Sequence, residues 1–294
     1  MSRPAFARRP ALLFAGSPAV FRRFADEGGS SHTSRRCCLA KEMRHRNNVY
    51  ECNKPDAPFD SGTSPELKAM RISFLHTIDS NRQVFEQAAT ELGLRPDDLQ
   101  HLVRADLREA VERAGTFSAD VKAQTCRTLL DLAANADAVI LTCATLGPAV
   151  AEIGNAPVPV VRTDAALAAW AAESAGPNGK IAVLCAAEAA LESNRKLFTQ
   201  YASESAASTE IAVEIVHTPL VWTLFKSGNM NGCFAAISSA AADAYAAGAT
   251  VVAFAHPWMA PAAYLASEAS NGKRPLDSAR AALNAALRRV GEAR

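Results

Sequence analysis

The sequence predicts an α/β protein of two lobes, each a parallel sheet flanked by helices. Three observations predict it. From Met70 onward, short apolar runs alternate with helical stretches of ten or more residues, the grammar of βαβ units. That grammar halts at the turn-rich Gly176-Pro177-Asn178-Gly179 and then restarts. Ala is abundant while aromatics make up only 6%, which suits helices packed closely on something flat.

The elements follow in order. Arg71–His76 reads as a buried strand, and Ser80–Gly93 as a helix with Val84, Phe85, Ala88, Ala89 and Leu92 at helical spacing. Asp98–Val103 is a weaker strand and Leu107–Ala114 a short helix. Ser118 caps a longer helix through Ala134, with Asp120 in its first turn. Ala138–Thr142 is the strongest strand of the first half. Pro157–Arg162 is another, followed by a helix over Asp164–Ser174. After the break, Lys180–Cys185 is a strand and Ala189–Ser203 a helix. Glu210–His217 is a strand whose alternation suggests a more exposed position. Asn231–Ala247 is a long Ala-rich helix, Thr250–Ala255 a strand and Asp277–Ala293 a closing helix. The predicted division is therefore a leader over 1–69, a first lobe over 70–175 and a second over 176–294 that includes the closing helix.

Composition bounds the function. The 294 residues carry a formal charge of +1, which argues against a nucleic-acid binder driven by net charge, and 49% hydrophobic residues argue against disorder. The longest uncharged stretch, Ala244–Ser267, is interrupted by Gly248, His256, Pro257 and Pro261, so no membrane span is expected. Residues 1–69 hold a net +5 and residues 70–294 a net −4. The Arg-rich, acid-poor leader is expected to be disordered and apart from the working protein. Its composition also fits a mitochondrial transit peptide, the alternative to a cytoplasmic location. The seven Cys show no disulfide framework and read as free thiols in a reducing compartment. Cys37, Cys38, His45 and Cys52 match no standard zinc spacing, so no metal is expected.

No dinucleotide fingerprint, phosphate loop, nucleophile elbow or zinc-protease motif is present. In parallel sheets ligands gather beyond the carboxyl ends of the strands. There Cys143 stands out. It ends a strand and opens Cys-Ala-Thr-Leu-Gly-Pro, where a following helix N-terminus would favour the thiolate. A thiolate is a competent base and nucleophile, though a buried structural cysteine reads equally well from position alone. Thr142 and Thr145 could bind a substrate carboxylate beside it.

Leu141-Thr142-Cys143-Ala144-Thr145-Leu146-Gly147-Pro148 resembles the first active-site loop of the aspartate/glutamate/hydantoin racemase superfamily. His76-Thr77 with Ser80-Asn81, the segment Val158–Asp164 and the loop Ala255–Ala260 are similar to further pieces of one branch. The likeness covers roughly residues 70–290. It implies two similar α/β lobes with the active site between them, no cofactor, a small carboxylate or related carbonyl substrate, and a possible homodimer. It also implies proton removal beside a carboxylate by one cysteine and return by a second. This sequence departs from that pattern, resembling a branch that lacks the second cysteine. The second-lobe strand runs Ala253-Phe254-Ala255-His256, and Ala186–Ala190 lack the threonines expected to hold substrate. Cys143 and His256 are then the catalytic candidates. His76, Thr77, Asn81, Thr142, Thr145 and Asn194 are the substrate-binding ones. The expected function is proton transfer at the carbon next to a carboxylate or carbonyl. A degenerate ligand-binding scaffold and a single-cysteine decarboxylase or hydrolase are the alternatives.

Overall fold

A computed structural model of the chain describes residues 70–205 and 210–292. The leader over 1–69, with Cys37, Cys38, His45 and Cys52, lies outside the described residues. The first half of the described chain runs β1 (Ile72–His76), α1 (Asn81–Glu91), β2 (Leu99–Val103), α2 (Ala105–Ala114), α3 (Ala119–Ala133), β3 (Ala138–Leu141), β4 (Val160–Arg162) and α4 (Thr163–Ala175). The second runs β5 (Lys180–Cys185), α5 (Leu191–Ser205), β6 (Ala212–His217), α6 (Pro219–Lys226), α7 (Met230–Ala246), β7 (Val251–Phe254), α8 (Ala263–Ala269), β8 (Leu276–Asp277) and α9 (Ser278–Glu292). Each half builds a four-stranded, all-parallel sheet, in the orders β2-β1-β3-β4 and β6-β5-β7-β8. This is the α/β class with twin lobes that the alternation of patterns predicts.

Local chemistry accounts for most boundaries. Ser118 accepts from the Val121 amide and starts α3, and Gly115 ends α2 at φ 65°. The central strands β1, β3, β5 and β7 are buried along their length apart from Lys180 at the start of β5, as strands covered on both faces must be. Strand β6 lies at an edge and keeps the partly exposed alternation read from its sequence. Three elements carry too little periodicity to be read in advance. They are the two-residue β8, the seven-residue α8 and α6, which starts with Pro219 in its first turn. The stretch after Cys143 is a 3-10 segment, Ala144–Glu152, and the one after His256 is another, Pro257–Ala262.

The lobes exchange helices. Helix α9, the last in the chain, covers the sheet of the first half: Ala279, Ala282, Leu283 and Ala286 pack with Ile72, Phe74, Ala138 and Ile140. Helix α4, from the first half, covers the sheet of the second: Leu167, Ala168, Ala171 and Ala172 pack with Ile181, Val183, Val251 and Ala253. The closing helix expected to complete the second lobe therefore completes the first. The reason is geometric: after the fourth strand of each sheet, the chain leaves toward the other lobe. Alanine on these faces lets helix and sheet approach closely. Among the described residues no helix is long and apolar enough to cross a membrane.

Because each sheet depends on a helix from the other half, truncating Leu167 or Leu283 destabilises both lobes together. Leu167→Ala and Leu283→Ala, both at fully buried sites, are each expected to cost about 2–5 kcal/mol. Denaturant unfolding followed by probes in the two lobes separately would show coincident transitions. A transition confined to one lobe would contradict the exchange.

Candidate active site

The carboxyl ends of both sheets face one cleft. Thr77 and Ile78 enter it after β1, Thr142 to Thr145 after β3, and Thr163 and Asp164 after β4. From the second lobe come Ala187, Ala189 and Ala190 after β5, and Ala255 to Trp258 after β7. Helices α2 and α6 add Arg108, Glu112 and Trp222. Parallel strands align all these loops at one end, which is why residues far apart in sequence converge.

Cys143 is partly exposed and lines the cleft. Among the described residues the other cysteines are elsewhere. Cys126 is partly exposed on α3 with its thiol toward the Ala149 carbonyl, while Cys185 and Cys233 are buried. The segment after Cys143 begins with the amides of Ala144 and Thr145, ahead of the Leu146 amide that bonds the Cys143 carbonyl at 3.2 Å. Gly147 is fixed by packing. A Cβ there would sit 2.7 Å from the Arg162 guanidinium. That guanidinium cannot swing away freely, because it holds the Asp164 carboxylate through two hydrogen bonds of 3.1 and 2.7 Å.

Behind the Cys143 loop runs a buried chain of hydrogen bonds. The Thr142 hydroxyl donates to the Leu75 carbonyl at 3.1 Å, so it can only accept from His76 Nδ1 at 3.0 Å. The proton of His76 is thereby placed on Nδ1. Its bare Nε2 accepts from His101 Nδ1 at 2.9 Å. His101 Nε2 has no hydrogen-bond partner and faces Glu86 at 3.8 Å. Phe74 stacks against both imidazoles. Burial, with the neighbouring His101, pushes the pKa of His76 down to about 3. Burial also lowers that of His101, against the opposing pull of Glu86.

His256 lines the cleft from the second lobe. Its Nε2 accepts from the Ala186 amide at 3.0 Å and the Ala187 amide at 3.2 Å, with the Cys185 thiol 3.6 Å away. The ring stacks on Trp258 with centroids 5.3 Å apart. Burial lowers its pKa to about 4 and raises that of Cys185 to about 11.

The structure thus brings Cys143, His256, Thr77, Asn81, Thr142 and Thr145 to one cleft. Two expected substrate contacts are corrected. His76 is fully buried, does not line the cleft, and spends both ring nitrogens on Thr142 and His101. Asn194 is also outside the lining, its amide donating to the Ala190 carbonyl at 2.8 Å and to Cys185 at 3.8 Å. Asn81 presents an amide oxygen with no partner. Arg108, whose Nε is buried without a partner while its fork is tied to Glu112, was not legible in sequence, nor was Trp222. Both sit on helices whose facing only the tertiary packing decides.

No family model matches the chain, and no curated protein matches it in sequence. Solved structures do. An allantoin racemase from Klebsiella pneumoniae superposes at a TM-score of 0.55 with 16% identity, over 76% of this chain and 89% of that one. An aspartate racemase from Picrophilus torridus gives 0.54 with 13% identity, over 75% and 94%. A glutamate racemase from Bacillus anthracis gives 0.54 with 13% identity, over 75% and 82%. The fold is the one that these allantoin, aspartate and glutamate racemases share.

The low histidine pKa values set an acid limit on the folded state. Below pH 6.5 the unfolded chain binds protons that native His76 and His256 refuse. Stability is therefore expected to fall with pH from 6.5 downward, levelling only near 4 for His256 and 3 for His76. Between pH 7 and pH 5 the loss is roughly 2 kcal/mol for each of the two. Urea unfolding at the two pH values checks it; equal midpoints would refute it.

Proposed function

We propose that this protein is a cofactor-independent enzyme that moves a proton at the carbon next to a carboxylate or carbonyl, with Cys143 as the acid/base. The observation that carries this reading is the position of Cys143. It is the one cysteine among the described residues that lines the cleft between the lobes, at the carboxyl end of a central strand. The three solved structures above are named as racemases, which supports proton transfer at such a carbon on this fold.

The step balances simply. The Cys143 thiolate takes the proton from the carbon, and the electron pair moves onto the carboxylate or carbonyl oxygen. Donors at the start of Ala144–Glu152 and the hydroxyl of Thr145 stabilise that oxygen. The thiol then returns the proton to carbon. The substituent on that carbon meets Ala187, Ala189, Ala190, Trp222 and Trp258. The charged residues of the cleft, Arg108, Glu112 and Asp164, all come from the first half of the chain. This asymmetry favours a small acid whose substituent is apolar over a dicarboxylate.

Proton NMR in deuterated water on a panel of 2-substituted acids, including 2-phenylpropionate and aspartate, tests the reading. Loss of the signal at the reacting carbon is expected for the apolar acids. Cys143→Ala should slow that exchange at least a hundredfold while circular dichroism stays unchanged. Full exchange in Cys143→Ala would sink the proposal. Binding without exchange in the unaltered protein would assign a ligand-binding scaffold instead.

A further inference from the structure

The two lobes put different chemistry at equivalent positions. Cys143 lies two residues beyond Leu141, the end of β3, and His256 two residues beyond Phe254, the end of β7. Each immediately precedes a 3-10 segment, and their backbones match, with φ and ψ of −114° and 113° against −112° and 132°. His256 therefore stands in the second lobe where Cys143 stands in the first.

What His256 can do there follows from counting protons. The amides of Ala186 and Ala187 are obligatory donors, and both converge on Nε2. A nitrogen that accepts two N–H groups holds no proton of its own, so the ring proton is on Nδ1. The hydrogen bonds of the ring are all made at Nε2, which leaves Nδ1–H for the cleft that the ring lines. No charged side chain pairs with the ring among the described residues, and the one titratable group touching it, Cys185, is a buried thiol. Stacking on Trp258 fixes the ring plane.

We infer that His256 is a fixed, neutral hydrogen-bond donor whose Nδ1–H grips a carboxylate or enolate oxygen of the bound acid, and that it carries no proton to or from carbon. As a base it has no free lone pair, because Nε2 is occupied. As an acid it would have to become an imidazolate. The enolate part of this statement rests on the Cys143 reading, whereas the carboxylate grip does not. Paired with that reading, it makes the chemistry one-sided. The proton leaves and returns on the Cys143 face, so solvent hydrogen enters with retention of configuration.

The test uses the full chain with ¹⁵N-labelled histidine and propionate as the probe carboxylate. His256 is assigned in a long-range ¹H–¹⁵N spectrum through its contact with the Trp258 indole. A protonated Nδ1 and bare Nε2 from pH 5.5 to 8, and movement of the Nδ1–H signal on adding propionate, are expected. An Nε2–H tautomer, an imidazolium in that range, or an Nδ1–H signal unmoved by propionate would overturn the inference. His256→Phe, which keeps an aromatic face for Trp258 and removes the donor, should weaken propionate at least tenfold. Unchanged affinity would also overturn it. Cys143→Ala must leave the tautomer and the propionate response intact. Failure of exchange chemistry at Cys143 is thereby separated from failure of the donor at His256.

Discussion

The exchange of α4 and α9 between the lobes is the constraint on which the rest depends. Each sheet has one face closed by a helix that the other half of the chain supplies. A two-lobed protein could hinge freely on a single connection. Here two helices cross in opposite directions, and they also pack on each other. The carboxyl ends of β1, β3, β5 and β7 are therefore held at a set separation. A cleft built from strand ends inherits that rigidity.

Within that frame the two walls of the cleft are supported by different means. The first is braced by polar groups. Thr142, His76 and His101 form a continuous buried chain, and Arg162 with Asp164 clamps the other side of the Cys143 loop. The second is mostly apolar, with the aromatic stack of Trp222, Phe225 and Trp258 behind His256. Its polar organisation is concentrated on one ring nitrogen that collects two amides. The same sheet order has thus produced one wall that offers a sulfur and donors, and one that offers a single N–H and bulk.

Much of this was legible in the sequence, and the limits have physical causes. The alternation of seven strands with seven helices, the break at Gly176–Gly179 and the edge position of β6 follow from periodicity and turn chemistry. Cys143 and Thr145 could be located because parallel sheets present the ends of their strands to ligands. His76 and Asn194 could not be judged, since a polar residue near a strand end serves either the cleft or a buried partner, and only the third dimension decides. The crossing of α9 was hidden for the same reason: an Ala-rich amphipathic stretch says that it packs, not on which sheet. Arg108 and Trp222 reach the cleft from helices whose orientation no local pattern specifies.

The contact between Gly147 and Arg162 imposes an order on how this loop can drift over generations. While the guanidinium spans the bare backbone of residue 147 and grips Asp164, a larger side chain at 147 has to push it aside and loosen that grip. Were the arginine lost first, the space would open and the glycine would become dispensable. The reverse order carries the cost of the displaced ion pair, which couples two positions that lie 15 residues apart.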